Sequence, residues 1–232
     1  MPLPPFRFRP FIKDITTMPI SNMILQLATG LLTSVNIFFL TLLFTFPFGL
    51  LVALVRMSKN PFASNIARIY ISIMRGTPLM LQLLAVTYGP YYLFGTAVAR
   101  NKLIPVVIAF AINYAAYFAE IYRGGIESMP VGQYEAAEVL GYTKAQTFMR
   151  IILPQVIKRI MPSVTNEVIT LVKDTSLAFT LAYQEVFSLA KQISASQTSF
   201  IPFVIAGVFY FVANYGVQFI MERIEKTMDY YR

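Results

Sequence analysis

Three stretches of the chain carry no charged side chain: residues 15–55, 76–99 and 192–221. A helix needs about 20 predominantly apolar residues to cross a hydrocarbon core about 30 Å thick, and each stretch is long enough. A shorter apolar run covers 103–119 and continues through Glu120 towards residue 126, and a fifth candidate, 160–183, carries polar residues among its apolar ones. The pattern predicts spans over 31–55, 77–99, 103–119, 160–183 and 200–221, with an amphipathic helix over 62–74 leading into the second. The expected fold class is all-α: a polytopic membrane protein with about five transmembrane helices. It forms a single domain over 1–232, with an N-terminal tail over 1–20. Thr77 and Pro78 mark a kink at the start of the second span, where freed backbone groups can face a polar path.

Composition agrees. Hydrophobic residues make up 56% and charged residues 13%, against about 25% charged in soluble proteins. The net charge is +8. In a soluble protein that excess suggests nucleic acid. Here the basic residues flank apolar runs and the positive-inside effect accounts for them, so no nucleic-acid partner is expected. With the N-terminus outside, twelve basic residues fall inside: Arg56, Lys59, Arg68, Arg75, Arg123, Lys144, Arg150, Lys158, Arg159, Arg223, Lys226 and Arg232. Six fall outside: Arg7, Arg9, Lys13, Arg100, Lys102 and Lys191. The expected orientation is N-terminus out, C-terminus in. The chain has no cysteine and no histidine. That excludes disulfides, Cys/His metal sites and His-based nucleophile triads, and no metal site is expected. No secretory cleavage pattern precedes the first span, which is expected to act as the insertion signal itself.

The longest connection, 128–154, lies on the inner side between the third and fourth spans. Its turn chemistry predicts two short helices. Ser128 can cap the first and Pro130 suits its first turn. Gly141 suits the position just past its end. Thr143 can cap the second, which Pro154 interrupts or kinks. Ala136 and Ala137 leave a low-relief surface that another protein can approach closely, edged by Glu135 and Glu138.

Glu135, Ala136, Ala137, Gly141, Ile151, Leu153 and Pro154 resemble, at every fixed position, the signature of permease subunits of ATP-binding cassette importers. Three further segments look like those of the polar amino acid uptake permeases: 75–79 (Arg-Gly-Thr-Pro-Leu), 120–128 and 173–177. The resemblance implies a five-span permease of the bacterial cytoplasmic membrane. It implies a second permease copy or a homologous permease, ATPase subunits docked on the loop containing Glu135, Ala136, Ala137 and Gly141, and an extracytoplasmic amino-acid-binding protein. No G-x-x-x-x-G-K-[ST] phosphate loop occurs in the chain. The chain is therefore expected to be no enzyme and to bind no cofactor, with ATP and Mg held by the partner ATPase.

The fourth span carries Glu167, Lys173 and Asp174. At about 2.5–3.5 kcal/mol for each charge at a helix centre, the three cost roughly 8–10 kcal/mol of insertion. Apolar neighbours return only about 0.3–0.6 kcal/mol each, so these charges must face away from lipid. At about 100° per residue, Ser163, Asn166, Glu167, Thr170, Lys173 and Asp174 fall within an arc of roughly 120°. Such a stripe lines a water-filled path or a subunit interface. A zwitterionic amino acid needs an anion near its ammonium group and donors near its carboxylate. Glu167 can supply the first, and Asn166, Thr170 or Lys173 the second, with Thr77 contributing from the kink. An ion pair within the bundle is the structural alternative for Glu167, Lys173 and Asp174. In arginine- and histidine-type relatives, the resemblance implies, the glutamate matching Glu167 belongs to the intramembrane substrate site. Asn113, Tyr117 and Glu120 share one face of the third span and either extend this path or make a helix contact. The same intramembrane charges suit an alternative function, an ion-coupled secondary amino acid transporter, although no inverted repeat is found.

Overall fold

The computed structural model describes residues 18–228. The expected tail over 1–20 falls almost wholly outside these. Among the described residues there are nine α-helices and no strand.

Helix α1 (Ile20–Arg56) has 37 residues and begins eleven residues earlier than the expected span. At about 1.5 Å per residue it is longer than the hydrocarbon core is thick. Pro47 sits inside it. Helix α2 (Pro61–Gly76) starts with Pro61, and the Asn60 side chain caps it by accepting from the Phe62 and Ala63 amides. Helix α3 (Leu79–Phe94) follows at a 111° bend. The break falls at Thr77 and Pro78, as their sequence predicts. Pro78 lacks an amide hydrogen and Thr77 is extended, so the helical bonding stops there. With 16 residues, α3 is shorter than the expected 77–99 span; Gly95, at φ 66°, ends it in the left-handed region.

Helix α4 (Leu103–Glu127) runs through the centre. Its buried Phe110, Tyr114 and Phe118 pack with Ile37 of α1, Leu83 of α3 and Val164, Val168 and Leu171 of the polar span. That polar span is helix α7 (Leu153–Asp174), followed by a 3-10 segment over Thr175–Leu181. The expected single helix over 160–183 is thereby corrected. Helical bonding tightens after Asp174 and ends at Ala182, a non-glycine residue at φ 55°.

A short helix α8 (Val186–Gln197), absent from the sequence reading, packs its Val186, Ala190 and Ile193 on Met23 and Leu27 of α1. Glu185 is fully buried and caps α8 by accepting from the Phe187 and Ser188 amides, and the Tyr210 hydroxyl donates to it at 2.8 Å. Tyr210 belongs to α9 (Ile201–Thr227), the final helix. Helices α1, α4 and α9 are each long and apolar enough to cross a membrane, and the bent α2–α3 pair passes the same test when its two helices are taken together, as a broken span or a re-entrant loop. Helix α7 falls short on composition for the reason its charges predicted.

The 128–154 connection holds α5 (Val131–Val139), α6 (Lys144–Thr147) and a π-helical turn, Phe148–Ile152, that runs into α7. Ser128 does not cap α5. It sits at the end of α4, where its hydroxyl donates to the Gly125 carbonyl, and α5 begins after Pro130 without a side-chain cap. Gly141 behaves as expected. At φ 80° it lets the Tyr142 amide bond the Ala137 carbonyl (3.0 Å) and its own amide bond that of Glu138 (2.9 Å), closing the end of α5. Thr143 and Gln146 form a reciprocal capping box on α6. The π turn is the interruption expected of Pro154, which cannot donate an amide bond back into it.

Candidate functional site

Helices α4 and α7 cross where Gly125 faces Ile160. A Cβ on Gly125 lies 2.2 Å from Ile160 Cγ2, so only glycine permits this approach. Beside the crossing, α4 and α7 line a polar trough made of two adjoining cavities. The first, about 320 Å³, is lined from α7 by Asn166, Glu167, Thr170 and Asp174, from α4 by Asn113, Tyr114 and Tyr117, and from the α2–α3 break by Thr77 and Leu79. The second, about 400 Å³, lies nearer the 128–154 connection. Arg75, Tyr117, Glu120, Ser128, Arg159, Ser163 and Glu167 line it. Tyr117 and Glu167 belong to both and form the neck between them.

Four of the residues singled out in the sequence, Thr77, Asn166, Glu167 and Thr170, meet in the first cavity. Lys173 does not. It is exposed and lines neither cavity, so the arc of α7 is narrower in space than on a helical wheel. Nor does Lys173 form an ion pair with Glu167 or Asp174. Asp174 instead accepts from the Tyr114 hydroxyl at 2.7 Å. Asn113, Tyr117 and Glu120 share a face that contacts α2, and each also lines one or both of the cavities.

The bend that delivers Thr77 is held by a small amide network. Gln82 donates to the Met74 and Thr77 carbonyls and to the Thr77 hydroxyl (2.9, 3.1 and 2.8 Å). Asn113 of α4 donates to Met74 and to Gln82 Oε1 (3.0 and 2.9 Å). These bonds take up backbone groups that Pro78 releases, which hydrocarbon cannot satisfy. Sequence reasoning passed over Gln82. Its signal was present: it is the one polar side chain in the run Leu79–Val86, and such a residue within an apolar span has a structural or functional partner.

The charges of the trough differ in how far they are committed. Arg123 holds Glu120 through two nitrogens, at 3.0 and 2.7 Å, and also bonds Glu127. Arg159 donates to the Ser128 carbonyl at 3.1 Å. Glu167 accepts no hydrogen bond and has no ion pair among the described residues; the cation acting on it electrostatically is Arg75. The Arg75 guanidinium lies 5.3 Å over the Tyr117 ring and 4.0 Å from Glu120, and it donates no hydrogen bond among the described residues.

At the far end of α7, α5 is tied to it by a reciprocal amide pair. Gln133 and Gln155 each donate to the other at 2.9 Å. Met129, Ile152 and Val156 pack beneath.

Residues 45–230 match the model of a protein family described as the binding-protein-dependent transport system inner membrane component. The chain belongs to this family. It is 37% identical over 200 residues to the nopaline transport system permease protein NocM of Agrobacterium fabrum, covering 83% of each chain. It is 34% identical over 208 residues to the L-cystine transport system permease protein TcyB of Bacillus subtilis, covering 88% of this chain and 87% of that one. A crystal structure of an amino acid ABC transporter with histidines superposes with a TM-score of 0.83 at 30% identity, covering 93% of this chain and all of the other. An inward-facing methionine ABC transporter, MetNI, shares the fold at a TM-score of 0.73 and 19% identity.

The protein is therefore a permease of the cytoplasmic membrane and a translocation component rather than an enzyme. Its family depends on a binding protein, which sets aside the ion-gradient carrier. Membership implies assembly with ATPase subunits and a binding protein.

Proposed function

We propose that this permease carries a polar amino acid, released by an extracytoplasmic binding protein, through the trough between α4 and α7. The observation that carries the reading is the uncommitted Glu167 carboxylate at the neck of a cavity also lined by Thr77, Asn166 and Thr170. Its volume of about 320 Å³ is at the small end of the range for ligand sites, about 300–1,000 Å³. Glu167 takes the cargo's ammonium or guanidinium group. Asn166, Thr170 and Thr77 supply hydroxyl and amide partners. Lys173 is left out of the site because it lines neither cavity. The nopaline and cystine relatives support an amino acid or amino acid derivative as the cargo class.

In the same reading α5, with Glu135, Ala136, Ala137 and Gly141, docks on an ATPase subunit that binds ATP and Mg. Motion of α5 passes to α7 through the Gln133–Gln155 pair. The whole of 1–232 acts as one permease domain, beside a second permease copy or a homologue. The test is uptake of labelled amino acids by proteoliposomes holding this permease, the ATPase subunits and the binding protein. Uptake should require ATP. Gly141→Val forces a β-branched residue to φ 80°, which costs roughly 1–2 kcal/mol of local strain. It should reduce co-purified ATPase and uptake together, with the permease still extracted in normal yield. Gly141→Asn, which tolerates this conformation, should retain both. Full ATPase recovery and full uptake with valine present sink the coupling role.

The basic-residue count supports an N-out, C-in orientation. Ser196, exposed near the end of α8, then faces outside, and exposed Lys144 at the start of α6 faces inside. The native chain has no cysteine, so Ser196→Cys and Lys144→Cys can be labelled without background. An impermeant thiol reagent should modify the first in intact cells and the second only after lysis. The opposite pattern reverses the assignment.

A further inference from the structure

We propose that Arg75 is the carboxylate-binding station of the translocation path, so that a zwitterionic cargo straddles the neck with its ammonium on Glu167 and its carboxylate on Arg75. This rests on the assignment of Glu167 to the cargo made above.

Five charged side chains line the trough: Arg75, Glu120, Arg159, Glu167 and Asp174. Three make hydrogen bonds inside the protein. Glu120 is held by Arg123, Arg159 by the Ser128 carbonyl, and Asp174 by Tyr114. The remaining two are one anion and one cation, and both line the cavity on the Arg159 side of the neck. Arginine carries five N–H donors in a planar fork suited to a carboxylate. Arg75 uses none of them in a hydrogen bond among the described residues. Its contact with Glu120 is at the 4.0 Å limit of an ion pair, while Arg123 already occupies that carboxylate at 2.7 Å. A cation–π contact, 5.3 Å from the guanidinium carbon to the Tyr117 ring centroid, holds the Arg75 charge beside the neck. The arrangement orders the path. The cavity around Asn166 and Thr170 has Glu167 and Asp174 and no basic lining residue, and the next has Arg75 and Arg159. The ammonium is met first, and the carboxylate is drawn across the neck.

The experiment uses the purified complex with its ATPase subunits. The twenty common L-amino acids and their α-carboxamides serve as probes, read as the concentration that half-maximally shifts the melting temperature. For the wild type, the most effective amino acid should act at a concentration at least about tenfold below that of its carboxamide, the scale of a charge-assisted bond. Arg75→Gln should abolish this discrimination while the carboxamide response stays. Arg75→Lys should restore part of it. Glu120→Gln, which removes the competing anion, should sharpen it. A variant arginine that is merely structural changes the ligand-free melting temperature and leaves the acid-to-carboxamide ratio intact, and that result overturns the proposal. Glu167→Gln should weaken acid and carboxamide alike. If it weakens neither while Arg75→Gln removes discrimination, the Glu167 assignment falls alone. Absence of any response in the wild type overturns both.

Discussion

Glu167→Gln should lower uptake by about tenfold or more while leaving expression, subunit assembly and basal ATPase activity near wild type. The substitution keeps the side chain's shape and removes its charge. A hydrogen bond to a charged group is worth roughly 1.5–3 kcal/mol, and about 1.4 kcal/mol is a factor of ten. The structure makes the stability half of this prediction specific. Removing one member of a buried ion pair strands its partner and costs several kcal/mol. Glu167 has no such partner among the described residues, and Lys173 in particular does not pair with it. Glutamine should therefore leave the melting temperature of the ligand-free complex unchanged within a degree or two. Uptake and melting measured on one purified preparation decide the matter. A fall in melting temperature with proportionate loss of uptake would make Glu167 a structural residue, and unchanged uptake would remove it from the path.

Gly125→Val should destabilise the permease by about 1–3 kcal/mol, the range for overpacking. The first added carbon already meets Ile160 Cγ2 at 2.2 Å and Val156 Cγ1 at 3.2 Å. Ile160 is β-branched and on a helix, so it has one strongly preferred rotamer and cannot swing aside. The better helix propensity of valine over glycine offsets only a few tenths of a kcal/mol. Small residues at crossing points let membrane helices approach closely, and this crossing sets the width of the trough, since Gly125 and Ile160 both line it. Ile160→Ala should recover most of the loss in the double variant although it is destabilising alone. A double-mutant cycle on thermal melting gives the coupling. Additive losses would mean that the helices do not meet at this pair.

Removal of charge and addition of bulk thus act on the same trough by different routes, and the sequence anticipated one better than the other. The polar arc on α7 was legible because residue spacing converts directly to position around a helix. Asn166, Glu167 and Thr170 were found that way, and Thr77 from the proline beside it. The same spacing admitted Lys173, which the folded chain directs elsewhere. A helical wheel reports the face of a residue and not the width of the groove opposite. Arg75 entered as one of twelve inner basic residues and as the first residue of the segment 75–79, without a role of its own; Gln82 was passed over, and Gly125 was given no packing role.

Local chemistry determined a good deal by itself. Apolar run length marked α1, α4 and α9, because a hydrocarbon core demands a minimum length of apolar helix. Gly141 and Thr143 ended one helix and opened the next as their side chains require, since caps involve residues within a few positions. Charges inside 160–183 showed that this helix must turn a polar face from lipid. Tertiary structure decided which of those charges remained available. Tyr114 reaches Asp174 across 60 residues of sequence, Asn113 reaches Gln82 across 31, and Gly125 meets Ile160 on another helix. It also decided that α8 folds back against α1 on a buried Glu185. Nothing local encodes such pairings. Each depends on how far apart two helices lie and at what height they meet, and packing of the whole bundle sets both.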